Sequence, residues 1–453
     1  MKKLSEMTHE ELLAFKNETE KQYLDFKSQG LHLDMSRGKP APAQLDLTMP
    51  MLNVLSADDT LSTEKGLDCR NYGVLDGIPE AKQMFADVLG VKPENIIVYG
   101  NSSLAIMFDT ITRAWTHGLL GSTPWSKLDK VKFLCPVPGY DRHFGITQYY
   151  GIEMINIPTD ENGPDMDMVE KLVSEDASVK GIWCVPQYSN PTGVSYSDEV
   201  VKRFAALKPK AEDFRIFWDN AYCIHHLTDS PKCILNIFDE CKKNGTENMV
   251  YEFMSTSKVS FPGAGVAVLA ASVENVEYIK KGLGVSTIGF DKINQLRHIR
   301  FFKNAEGLKN HMKLHKNIIA PKFAVVIDQL EKNIAPLGIA SWHNAEGGYF
   351  ISFDAMKGCA KRIVSLCKEA GVVLTGAGAT YPYGKDPDDS NIRIAPSYPT
   401  VEELTKAMEL FCICIKLASA EKLLEKYSVI SKETLIQPEE EKRDFAPDPF
   451  VCL

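Results

Sequence analysis

Between residues 78 and 266 the chain alternates helix-like stretches with short, unbroken apolar runs, and this alternation is what most limits the folds open to it. The runs fall at 96–99, 131–135, 181–185 and 215–218, and none of them switches between apolar and polar at every second residue. Successive strand residues point to opposite faces, so a strand apolar throughout is buried on both sides. Strands of that kind with helices between them build a parallel sheet covered by helices on both faces. An α/β large domain follows.

At 453 residues the chain exceeds a single ordinary core, which stops growing at roughly 250–300 residues. The pattern changes near residue 300, where a long helix over 303–333 leads to an alternating strand at 347–353, predicting a smaller α+β domain. Thr8 and Glu11 form a capping-box pair that opens a helix running toward Gly30. The expected division is an N-terminal helix and arm over 1–50 that pack with the small domain, a large domain over 51–302, a small domain over 303–430, and an extended tail over 431–453 containing Pro438, Pro447 and Pro449.

The net charge of −9 offers no basic footprint for nucleic acid. No stretch reaches the roughly 20 apolar residues of a membrane span, and no apolar segment follows Met1-Lys2-Lys3. The eleven cysteines contain no CxxC pair, so reduced thiols in a cytoplasmic protein are expected, with no metal ligands assigned.

Five segments could carry chemistry. Ser255-Thr256-Ser257-Lys258 sets an amine among hydroxyls ahead of the glycine-rich 263–265 turn, where a nucleophilic lysine and a bound phosphate are both served. A solvated surface lysine is the plain alternative. Gly100-Asn101-Ser102-Ser103 lies between a strand and a helix, suited to an anion, or simply to an N-cap at Ser102 or Ser103. Asn190-Pro191-Thr192-Gly193 is a turn beyond a strand, where ligands bind in open α/β sheets. Asp219 and Tyr222 end the next strand, as a carboxylate and a phenol for a ring ligand or as a helix cap and its neighbour. Arg393, on an apolar strand of the second domain, needs an anionic partner, either a substrate carboxylate or a structural one.

In this order, with Asn190, Asp219, Lys258 and Arg393 separated by 29, 39 and 135 residues, the five segments resemble the fold-type I pyridoxal-phosphate (PLP) enzymes, and among them the class I aminotransferases. That resemblance spans about residues 33–420. It implies a mainly parallel seven-stranded sheet sandwiched by helices, with Lys258 holding pyridoxal 5'-phosphate as a Schiff base and shuttling the substrate proton. It further implies that Asp219 keeps the ring nitrogen protonated and that Tyr222 and Asn190 hold the phenolic oxygen. Ser102, Ser103, Ser255 and Ser257 would bind phosphate, and Arg393 the substrate carboxylate. Tyr140, in Pro138-Gly139-Tyr140, resembles the aromatic that stacks on the ring, and His143 the histidine behind the ring aspartate. Tyr72 resembles the tyrosine that reaches a neighbouring subunit's phosphate, which would make the protein a homodimer with shared active sites.

Two positions depart from that pattern. Val266 stands where many members carry a phosphate-binding arginine, and Arg37 precedes Gly38 in a loop near the substrate. With Asn294-Gln295-Leu296-Arg297-His298, these features resemble a divergent bacterial branch of aspartate aminotransferases grouped with the MocR-like aminotransferase domain. The expected substrates are small amino and 2-oxo acids, foremost aspartate and 2-oxoglutarate. For their distal carboxylate Arg37 is favoured over Lys39, Arg297 and Arg300. Aromatic, aminoadipate or alanine-type transamination, carbon–sulfur lysis, and PLP binding without turnover remain open.

Overall fold

A computed structural model of the chain describes residues 2–434. Its main sheet has strand order Ile96–Val98, Ala267–Ala271, Val250–Ser255, Arg215–Asp219, Val179–Cys184, Lys132–Val137, Glu153–Asp160, Gly163–Pro164. The five strands from Val250–Ser255 through Glu153–Asp160 are mutually parallel, and Ala267–Ala271 runs antiparallel to both its neighbours. The sheet has eight strands rather than the seven expected. The extra one, Gly163–Pro164, is two residues long and folds back on the edge, too short to leave a periodic signal. Alternate residues of one strand feed opposite cores: Ile216 and Trp218 join one apolar cluster with Phe85 and Phe204, while Phe217 joins the other with Phe133 and Trp183. Burial of both faces is the physical meaning of the unbroken apolar runs.

A second core holds the antiparallel strands Ala340–Trp342, Ile351–Ala355 and Asn391–Ile394, the helices Ala360–Glu369 and Val401–Thr434, and Leu12 and Tyr23 of the N-terminal helix His9–Lys27. Thr8 and Glu11 form the full capping box at the start of that helix. Leu33–Met35 pairs in parallel with Val372–Leu374, which pins the N-terminal arm to this domain. The helix Ala305–Asn333 serves both cores, with Leu308 and Met312 in the large one and Ile319 to Leu330 in the small one. The final helix continues to Thr434, so an extended tail does not begin at residue 431. The rest of the proposed tail, 435–453, lies outside the described residues. The ten cysteines among the described residues are free, and no helix there is long and apolar enough to cross a membrane.

One central strand carries a buried acid. Glu252 is 3% exposed and accepts a hydrogen bond from Asn220 Nδ2 at 2.8 Å. Burial pushes its carboxyl up to about 7. The folded state therefore binds more protons than the unfolded chain between the ordinary carboxylate range and about pH 7, and stability falls as pH rises through that window. The loss above it is on the order of 3 kcal/mol. Glu252→Gln keeps the shape and the hydrogen bond, so it should melt several degrees above the parent at pH 8 and level with it at pH 5. Equal gains at both values would show that burial of the charge is not the cause.

Candidate active site

Three neighbouring parallel strands, Val179–Cys184, Arg215–Asp219 and Val250–Ser255, deliver their C-terminal ends to one rim of the sheet. Asn190 follows the first, Asp219 closes the second with Tyr222 just beyond, and Ser255 closes the third ahead of Lys258. A rim of this kind is where open α/β sheets bind ligands. Ser102 caps the fifteen-residue helix Ser103–His117, accepting from the Ala105 amide at 3.3 Å. Ser255 Oγ donates to Ser257 Oγ at 3.0 Å, and Ser257 Oγ donates to the Asn101 carbonyl at 3.1 Å. Asn101 Nδ2 in turn donates to the Gly263 carbonyl at 3.0 Å. Two loops more than 150 residues apart are thus joined into one hydroxyl-lined cup at a helix N-terminus, a setting that favours anions. Val266 is 1% exposed and packs in the core, its amide donating to Thr256 Oγ1.

Lys258 Nζ lies 5.0 Å from the Tyr222 ring centroid and 5.9 Å from that of Tyr349. Among the described residues it has no hydrogen-bond or ion-pair partner. Burial lowers its ammonium below the usual lysine range, and Arg393 adds to that, while Asp219 opposes it. The balance raises the share of neutral, nucleophilic amine. Asp219 Oδ2 accepts from His143 Nε2 at 2.9 Å, and since a carboxylate can only accept, that nitrogen carries the hydrogen. His143 is held in turn by stacking on Trp183, with centroids 4.5 Å apart. The other oxygen, Asp219 Oδ1, is buried and has no partner. Tyr222 is buried and its phenol is pushed well up by that burial. Tyr140 meets His143 edge-on at 4.9 Å, and burial, with Asp219 and Asp141 adding, pushes it up to about 12.

Arg393 reaches this rim from the small domain. Its Nη1 donates to Asp141 Oδ1 at 2.9 Å and to Asn190 Oδ1 at 3.3 Å, and its Nη2 to Thr375 Oγ1 at 3.4 Å. The structural carboxylate anticipated as an alternative partner is therefore present, as Asp141, yet Nε remains buried and unpaired. Beneath the guanidinium lies Phe350, 4.8 Å from Cζ to ring centroid. Gly38 sits on the same ring: a Cβ there would fall 2.4 Å from Phe350 Cζ, so only glycine allows the approach. Arg37 is exposed, between Gly38 and Ser36, whose carbonyl accepts from Thr375 Oγ1 at 2.6 Å. The other candidate cations are engaged elsewhere. Lys39 Nζ sits 3.9 Å over the Tyr398 ring, Arg300 pairs with Asp59 and the Thr60 carbonyl, and Arg297 bonds Asn294 and the Ala264 carbonyl. Tyr72 stands apart, 80% exposed.

Trp183, Asp141, Thr375, Tyr349 and Phe350 were not anticipated as members of this site. Trp183 and the pair Tyr349-Phe350 were legible only as strand residues, and Asp141 and Thr375 carried no local signal. The Gly347-Gly348 pair before Tyr349 marks a close backbone approach and was the one available hint.

A doubly covered α/β sheet with a lysine, an aspartate and an asparagine on its rim, joined to a small domain that supplies an arginine, defines the fold-type I aminotransferases. The family model described as aspartate amino-transferase matches residues 7–427, and the chain belongs to that family. A protein of Mycolicibacterium smegmatis is 46% identical over 418 residues, which is 92% of this chain and 97% of its own. The aspartate aminotransferase of Corynebacterium glutamicum is 44% identical over 419 residues, covering 92% of this chain and 96% of its own. The crystal structure of an aspartate transaminase from C. glutamicum superposes with a TM-score of 0.91 at 44% identity, covering 93% of this chain and 99% of that one.

Proposed function

We propose that the protein is an aspartate aminotransferase that converts L-aspartate and 2-oxoglutarate to oxaloacetate and L-glutamate by ping-pong transamination, with pyridoxal 5'-phosphate held at Lys258. The observation that carries the assignment is the buried, unpaired Asp219 Oδ1, whose carboxylate acts electrostatically on the Lys258 amine. A buried carboxylate oxygen without a donor is costly, and a protonated ring nitrogen is the donor that fits it. When bound, the cofactor's protonated ring withdraws electrons from the substrate Cα. His143 keeps Asp219 aimed at that contact. Tyr222 and Asn190 would hold the ring oxygen, and Tyr140 would cover the ring. Ser102, Ser103, Ser255, Ser257 and the helix amides take the phosphate. The Lys258 amine, its ammonium lowered by burial, would take the Cα proton of the bound substrate and give it up again.

Arg393 grips the substrate α-carboxylate, with Nε available and Asn190 steadying Nη1. Both substrates are dicarboxylates, and Arg37, poised beside Gly38 and the Thr375 bridge, receives the distal carboxylate. The 80% exposure of Tyr72 suits a side chain that completes a partner subunit's phosphate cup, and so a homodimer, while the free thiols of the described cysteines suit the cytoplasm. Aspartate added to the yellow holoprotein should bleach its visible band in a single half-reaction. Arg37→Leu should weaken kcat/KM for aspartate by about 2 kcal/mol, roughly thirtyfold, and leave alanine nearly unchanged. An equal loss for both substrates removes Arg37 from the distal site. Bleaching by no amino acid would leave a PLP-binding protein without turnover, whereas preference for aromatic, aminoadipate or alanine-type donors, or release of pyruvate from cysteine conjugates, would identify the other members of the fold.

A further inference from the structure

Lys258 is contacted from the small domain at a second point, through its backbone. Tyr349 Oη donates to the Lys258 carbonyl at 3.4 Å, while the Tyr349 ring flanks the amine. That hydroxyl is itself oriented. Gln44 Oε1 accepts from the Ala41 amide at 3.0 Å, which fixes the amide, so Nε2 donates to Tyr349 Oη at 2.7 Å and to His315 Nδ1 at 3.0 Å. With Nδ1 an acceptor, the hydrogen of neutral His315 sits on Nε2, which lies 3.1 Å from His311 Nε2 and faces the Val259 carbonyl that accepts from both rings. Gln44, His315 and Tyr349 are buried. They come from the N-terminal arm, the helix shared by the two cores, and the small domain. The neighbouring residue, Phe350, carries Arg393 on its ring and blocks Gly38. One dipeptide therefore touches the carboxylate-binding end of the site and the lysine end together.

We propose that Tyr349-Phe350 is a positioning element that couples the carboxylate arginine to Lys258, with Gln44 and His315 setting the direction of the Tyr349 hydroxyl. The proposal rests on Lys258 being the cofactor lysine. The Tyr349 bond is long, as contacts that tighten only in the substrate complex commonly are. Burial lowers both histidines, His315 to about 3, so His315 stays neutral across the working pH range. The groups facing the amine are Asp219, Arg393, Tyr222, Tyr349 and the buried His225.

The test uses holoenzyme with Tyr349→Phe, which keeps the ring, with Gln44→Leu, and with the two combined. Tyr349→Phe should lower kcat for aspartate about fivefold, the equivalent of one ordinary hydrogen bond, with KM within about twofold. It should also move the pH midpoint of the cofactor's visible absorbance by about half a unit. Gln44→Leu should do the same, and the double variant should add nothing further. An unchanged midpoint and kcat, an altered melting temperature alone, or additive effects of the two replacements would each overturn the coupling. Borohydride trapping on each variant separates the two failures. A label away from Lys258 refutes the lysine assignment, whereas a label on Lys258 with unchanged kinetics refutes only the coupling.

Discussion

Lys258→Ala should reduce transamination of aspartate by at least about 10⁴-fold, because it removes both the covalent anchor and the proton carrier. Borohydride should then fix no cofactor to the protein. The expectation follows from the environment of the amine. Burial lowers its ammonium, and the carboxylate that opposes the shift, Asp219, is bonded to His143 rather than to Nζ. Lys258→Arg should not rescue, since a guanidinium stays protonated and cannot act as nucleophile or base. Persistent covalent label in the alanine variant, found by peptide mass analysis on another lysine, would show that a different amine does the work.

Asp219→Asn should cost at least about 3 kcal/mol in kcat, roughly a hundredfold or more. The replacement preserves volume and leaves His143 a partner, so the strand end and the His143–Trp183 stack should survive. What disappears is a buried negative charge whose free oxygen is shielded from water, the setting in which a fixed charge is worth most. Stopped-flow measurement of the aspartate half-reaction reads the effect directly. A loss smaller than about fivefold, at full cofactor occupancy, would mean that the carboxylate is structural.

The residues that local sequence could announce were those at the ends of periodic elements. Asp219 and Ser255 close apolar strands, Asn190 and Lys258 lie in turns just beyond, and Ser102 caps a helix. The capping box at Thr8 was equally legible, because its whole hydrogen-bond pattern spans the four residues from Thr8 to Glu11. The eighth strand was not, being too short for any period, and neither was the end of the last helix.

The amino-acid sequence by itself determined the covered parallel sheet, the change of architecture near residue 300, and the order of the rim residues. Each of these follows from side-chain periodicity and turn chemistry within a few residues. Tertiary structure alone decided the pairing of Arg393 with Asp141, the seating of Gly38 on Phe350, and the relay from Gln44 through Tyr349 to the Lys258 carbonyl. Gln44 and Tyr349 are 305 residues apart. No local pattern encodes such a contact, because it exists only once two separately buried cores have closed against the helix they share.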